Sequence, residues 1–149
     1  MEIIKLDYIV LDNNKKTKDE MFDALAAQAI KYEIISNKDD FIKGLNDREN
    51  EVSTCFERGI AIPHCRHICV KKPAVLIFKN KSEIKWDEEG NCAQFIICLI
   101  IPEENGSSHI KLLSSIARKL VDDEFTTSLL QMNSKEEIYN CFKDICMKR

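Results

Sequence analysis

The stretch Ala93-Gln-Phe-Ile-Ile-Cys-Leu-Ile-Ile101 (AQFIICLII) decides the fold class. Its side chains are apolar at nearly every position, so a strand built from it offers apolar surface to both sides of a sheet. Such a strand has to be covered on both faces, usually by helices. The run is also far short of the ~20 residues that a membrane span requires. Two further runs of strand length, Gly59–Ile62 and Ala74–Phe78, share its character.

Helical patterns surround these runs. Thr17-x-x-Glu20 is a capping box, in which a hydroxyl and a carboxylate satisfy free backbone N–H groups at a helix start. Behind it Phe22, Leu25, Ala26, Ala29 and Ile30 recur at helical spacing, predicting a helix to about Tyr32. Ser36 and Asp39 open a shorter helix that buries Phe41, Ile42 and Leu45. Residues 46–57 have no clean period and read as a loop. Ile3–Leu11 reads as a strand ending in the Asp12-Asn13-Asn14 turn. After Pro102 the chain is almost wholly helical, with starts at Ser107 or Ser108, near Phe125, and at Ser134-x-x-Glu137. No repeat, linker or low-complexity tract divides the chain. The expectation is an α/β fold over residues 1–149, a single domain with a central mixed β-sheet and helices on both faces.

The totals narrow the function classes. The chain has 149 residues, 44% hydrophobic and 32% charged, with a formal net charge of −3. Mixed charge without a basic face argues against nucleic acid as a partner. The N-terminus has no basic n-region with a cleavage site, and no stretch is long enough to span a bilayer, so a cytoplasmic protein without membrane insertion is expected. Seven cysteines, an odd number, should then stay reduced.

The residues able to carry chemistry gather around GIAIPHCR, Gly59–Arg66. His64 follows a proline at the end of an apolar run, and the ends of strands are where α/β proteins place reactive groups. On its residues alone it is either a strand-edge histidine that packs, or a presented nucleophile. His109 falls in the first turn of a predicted helix, where the dipole favours a neutral imidazole beside an anion. It is equally compatible with a core-edge role. Ser53-Thr54 could bind phosphate oxygens, and Arg48 and Arg66 carry guanidinium groups suited to gripping them. Cys65, His67 and Cys69 have soft donors at alternate positions, but no second pair with zinc spacing accompanies them. No phosphate-loop or dinucleotide fingerprint occurs.

Taken together, Arg48-Glu49, Ser53-Thr54, GIAIPH, Lys71–Phe78 (KKPAVLIF), Ile84-Lys-Trp86, Ile101-Pro102-Glu103 and His109–Leu113 (HIKLL) resemble the IIA domains of the mannitol/fructose class of the bacterial phosphoenolpyruvate-dependent sugar phosphotransferase system, nitrogen-type relatives included. The resemblance covers nearly the whole chain. It implies a phosphotransferase component with a phosphohistidine intermediate, no cofactor and no metal. The partners it implies are the phosphocarrier HPr, as donor, and a IIB component, as acceptor. His64 matches the phosphoryl acceptor, His109 the second active-site histidine, and Arg48 an arginine near the phosphoryl group. Ser53 and Thr54 stand where loop donors would complete the phosphoryl site. A regulatory, nitrogen-type role is the alternative of a different class, and a metal- or redox-responsive module using Cys65, His67 and Cys69 is a third.

Two positions depart from the family pattern. Cys65 replaces a glycine that commonly follows the active histidine, and its Cβ is expected to narrow the approach to His64. Arg58 replaces a small, acidic or amide residue, and its charge is expected to hold the phosphoryl group more tightly.

Overall fold

The computed structural model describes residues 2–147, apart from the side chains of 105–109 and 147. Along the chain run β1 (Ile9–Asn13), α1 (Lys18–Lys31), α2 (Lys38–Glu51), β2 (Ile60–Ala61), β3 (His64–His67), β4 (Ala74–Lys85), β5 (Cys92–Pro102), α3 (Gly106–Val121), α4 (Asp123–Gln131) and α5 (Lys135–Met147). Among the described residues the strands form one mixed sheet centred on β5. It runs antiparallel to β4 and parallel to β2 and β3, while β1 pairs parallel with β4.

Alternation along β5 explains the two covered faces. Ile96, Cys98 and Ile100 join a core with Phe22, Leu25, Phe41 and Leu45 of α1 and α2. Phe95, Ile97, Leu99 and Ile101 join the opposite core, with Ile116, Leu129, Ile138 and Phe142 of the three C-terminal helices. The expected single α/β layer arrangement is what the chain adopts.

β2 and β3 are one edge strand interrupted by Pro63. Ile60 pairs with Phe95 and His64 with Leu99, so the register is the same on both sides of the break. Proline lacks the N–H that a ladder needs, which suits it to an edge strand. Its carbonyl still accepts the Leu99 N–H at 3.0 Å. His64 thus opens a second strand segment rather than ending the first.

Two other expectations are corrected. Ile3–Leu11 is not a continuous strand, because Leu6–Tyr8 form a 3-10 turn before β1. In an unbroken strand Ile4 and Tyr8 would share a face. The turn instead sends Ile4 into one core and Tyr8 into the other. Residues 46–51 belong to α2 rather than to a loop, so Arg48 and Glu49 lie on its last turns. The helical period is invisible there because α2 buries no apolar side chain beyond Leu45. Polar contacts hold this end: a 2.9 Å Lys43–Asp47 pair and an Arg48 Nη1–H that donates to the Val52 carbonyl at 2.7 Å.

Capping fixes the other ends. Thr17 Oγ1 accepts the Glu20 N–H at 3.1 Å, and the Glu20 carboxylate accepts the Lys16 N–H at 2.9 Å. Ser134 Oγ accepts the Glu137 N–H at 3.0 Å. The proposed Ser107 and Ser108 caps involve side chains outside the described residues. No helix among the described residues is long and apolar enough to cross a membrane.

Candidate functional site

His64 is held by both ring nitrogens. Nδ1 lies 2.9 Å from the Ile62 carbonyl oxygen, and Nε2 accepts the Arg48 Nε–H at 2.9 Å. A carbonyl only accepts and a guanidinium only donates. Both contacts are therefore satisfied together by one species, the neutral imidazole with its proton on Nδ1 and its lone pair on Nε2. The strand break at Ile62–Pro63 leaves this carbonyl, two residues back, within reach of the ring.

The surroundings favour that neutral form. His64 is 8% exposed. Burial is the main cause that lowers its pKa below 6.5, and the Arg48 charge acts in the same direction. The bond to Ile62 and the charges of Glu49 and Glu51 oppose this and are outweighed.

Arg48 projects from the end of α2, and the loop after it is stitched to the same helix. Glu49 accepts the Thr54 N–H at 3.1 Å, the Thr54 hydroxyl, and the Trp86 indole N–H at 3.1 Å. Ser53 Oγ accepts the Cys55 N–H at 3.1 Å and donates to the Asp87 carboxylate. That bond from Ser53, followed by those from Asn91 and Glu89, holds Asp87 down at about 2. A groove of about 590 Å³ opens beside this loop, between the start of α1, the end of α2 and the β4–β5 turn.

Of the expected site residues, Arg48 and His64 are in direct contact, and Ser53 and Thr54 lie in the loop that follows Arg48. The Thr54 hydroxyl is turned inward to Glu49 and Trp86 and is 8% exposed. His109 is the fourth residue of α3, which rises from the C-terminal end of β5, and its side chain lies outside the described residues. Arg66 is exposed and donates to the Glu103 carbonyl at 2.7 Å. Glu49, Trp86 and Asp87 had no assigned role in the sequence. One signal was available: a buried tryptophan needs a partner for its N–H.

The two departures from the family pattern turn away from His64. The Cys65 side chain is 3% exposed and packs into the α1–α2 core. There it lies over Gly44, where an added Cβ would come within 2.6 Å of Sγ. Its bulk is taken up by a missing Cβ on α2, not by the approach to His64. Arg58 reaches α4, donating to Thr127 Oγ1 at 2.9 Å and to the Asp123 carbonyl at 3.4 Å. Its charge is directed to that helix rather than to the imidazole.

The Cys65–His67–Cys69 segment also resolves. His67 Nδ1 accepts the Cys69 N–H at 2.9 Å, closing a turn. Burial pushes the Cys65 thiol up to about 12 and raises that of Cys69, which disfavours the thiolate a metal would need. No group of three or more potential metal ligands occurs among the described residues.

Residues 2–145 match the family described as "Phosphoenolpyruvate-dependent sugar phosphotransferase system, EIIA 2". The chain is 32% identical over 108 residues to the fructose-like EIIA component of Escherichia coli, covering 72% of this chain and 73% of that protein. It is 26% identical over 144 residues to the fructose-specific EIIA component of Haloferax volcanii, covering 96% and 94% respectively. The crystal structure of the nitrogen regulatory protein IIA-Ntr from Neisseria meningitidis superposes with a TM-score of 0.85 at 28% identity, covering 93% of this chain and 95% of that one.

Proposed function

This chain belongs to the EIIA 2 family of the phosphoenolpyruvate-dependent sugar phosphotransferase system, and from that premise we propose that it is a phosphoryl carrier. In this reading Nε2 of His64 accepts the group from phospho-HPr and passes it to a IIB component that serves sugar uptake. Both steps belong to the cytoplasm. The observation that carries the reading is the fixed tautomer. With Nδ1–H bound to the Ile62 carbonyl, the lone pair lies on Nε2, beside the Arg48 guanidinium.

The chemistry follows from those contacts. A neutral imidazole nitrogen is a competent nucleophile near pH 7. As Nε2 bonds to phosphorus, the bond from phosphorus to the donor atom breaks, and charge accumulates on the phosphoryl oxygens. Such a loose transition state is stabilised by positioning and charge rather than by further covalent chemistry. Arg48 releases Nε2 and turns its N–H groups to the oxygens, a short movement because it already touches the nucleophile. The phosphorylated ring keeps its Nδ1–H on Ile62, which favours the positive charge it acquires. His109, with the dipole at the start of α3, assists the onward step. The transfer as written uses no metal and no cofactor.

Incubation with phosphoenolpyruvate, enzyme I and HPr tests the proposal. An acid-labile phosphate on His64, absent from His64→Ala, is expected. A wild-type chain left unlabelled while HPr is labelled would overturn it. The likeness to a nitrogen regulatory IIA protein, at 28% identity and a TM-score of 0.85, favours a second reading, a regulator that binds a partner according to its phosphorylation state. Recovery of a kinase or transcriptional regulator on the immobilised chain, with no IIB component, would select that role.

A further inference from the structure

The chain has one tryptophan, Trp86, directly after β4. It is 1% exposed, and its ring meets Phe22 of α1 edge to face, 5.7 Å between centroids. Its backbone N–H donates to the Asn91 carbonyl at 2.8 Å, which closes the β4–β5 turn. The ring is thus fixed to the sheet on one side and to α1 on the other. Its indole N–H is directed to the end of α2 and to the loop that follows it.

That N–H is shared. It donates to Glu49 Oε1 at 3.1 Å and to Thr54 Oγ1 at 3.2 Å. One partner would satisfy a buried indole; two partners tie separate segments together. Glu49 follows Arg48 on the end of α2, and Thr54 follows Ser53 in the loop. The end of α2 buries no apolar side chain beyond Leu45, and a helix end without apolar anchorage frays. The carboxylate of Glu49, held by Trp86 and Thr54, anchors the turn that carries Arg48, together with the Arg48 bond to the Val52 carbonyl.

We propose that Trp86 is a positioning residue for phosphoryl transfer at His64: its indole N–H locks Glu49 and Thr54 into one unit, and so fixes where Arg48 and Ser53 stand relative to Nε2. The proposal rests on the phosphoryl-carrier reading. Transfer between two proteins tolerates little error in the placement of charge, since displacement by about 1 Å can cost two orders of magnitude in rate. A buried ring on a strand end is a more rigid support than a loop.

A single tryptophan allows a clean test. Biosynthetic replacement by β-(3-benzothienyl)alanine changes only residue 86, keeps the bicyclic ring and removes the N–H. Trp86→Phe removes the N–H and shrinks the ring. Initial rates at varied phospho-HPr concentration are expected to show kcat lower by about tenfold in both, the equivalent of one charge-assisted hydrogen bond. KM is expected to stay within about twofold. Among the described residues, the charged groups acting on His64 include Arg48, Glu49 and Glu51. With Arg48 no longer held beside Nε2, the His64 titration followed by NMR should move upward.

Wild-type kcat and an unchanged His64 titration in the benzothienyl protein would overturn the proposal. So would a lower melting temperature with kcat and titration unaltered, since that is a purely structural role. If the wild-type chain accepts no phosphate, the carrier reading fails on its own. The titration needs no phosphoryl donor, and an upward shift would still support the positioning of Arg48 by Trp86, while no shift would refute it.

Discussion

The two faces of the sheet bury their polar groups differently. On the face covered by α1 and α2, one corner holds a side-chain network, where Glu49, Thr54 and Trp86 bond one another beside Arg48 and His64, while buried Asn80 bonds the backbone of Lys15 and Ser82. On the face covered by α3, α4 and α5, such groups close onto backbone at helix ends. Thr126 donates to the Leu120 carbonyl at 2.7 Å, and Lys79 Nζ donates to the Leu130 and Met132 carbonyls at 3.2 and 2.9 Å. Polar groups without partners are costly to bury. The second face uses them to satisfy carbonyls that a helix end leaves open. The first face links several of them side chain to side chain beside His64. Under the carrier reading proposed above, the difference separates a corner for chemistry from a face for stability.

Two substitutions should pull these roles apart. His64→Ala is expected to abolish phosphoryl acceptance while the chain stays folded with a modest drop in melting temperature. The ring lies on an edge strand outside both apolar cores, and its loss gives up two hydrogen bonds. Phe142→Ala, in the opposite core, is expected to cost about 3–5 kcal/mol of stability. The fraction that remains folded should still accept phosphate at the wild-type rate. Denaturant melts paired with labelling kinetics check both, and slow transfer by folded Phe142→Ala would break the division between the faces.

Acid should act gradually where His64→Ala acts outright. The folded-state pKa of His64 lies below its unfolded value of 6.5. Acceptance should therefore persist at pH 6.5 and fall only as pH drops through the lower folded value. The stability sign agrees: between those two values the unfolded chain binds more protons, so stability rises with pH across that window and is lost as pH falls. An acceptance midpoint above 6.5 would contradict the buried neutral imidazole.

A smaller effect tests the packing beneath the site. Gly44→Ala would place a Cβ 2.6 Å from the Cys65 Sγ. Overpacking of this kind costs about 1–3 kcal/mol. Cys65→Ala removes the opposing sulfur, so the double variant should recover much of the loss, a non-additivity expected only of touching residues. Additive melting data would mean that the two sites are independent.

The layering was legible in AQFIICLII, because burial on both faces writes itself into successive side chains. His64 was legible through GIAIPH. The end of α2 was not, since Asn46–Glu51 bury no apolar side chain and their order comes from hydrogen bonds made to Val52, Thr54 and Trp86. The role of Trp86 was hidden for the same reason: its partners lie 32 and 37 residues away in sequence. In the sequence Cys65 presents as an obstruction, because the neighbour that accommodates it, Gly44, lies on another element. Long-range polar contacts leave no period for a sequence to display.

Arg58 carries the smallest expected effect and sharpens the comparison most directly. Its place before GIAIPH puts it near His64 in sequence, whereas its guanidinium bonds α4 on the opposite face. Its φ of 63° lies in the left-handed region, which costs a residue with a Cβ roughly 1–2 kcal/mol. Arg58→Ala keeps that cost and loses the contacts with Thr127 and Asp123, so a loss of about 1 kcal/mol is expected. Arg58→Gly loses the same contacts but adopts the positive φ freely, and should restore most of that difference. Phosphoryl acceptance and release should match wild type in both variants, because neither touches Arg48 or His64. Faster release from either one would return the Arg58 charge to the phosphoryl site and redraw the boundary between the two faces.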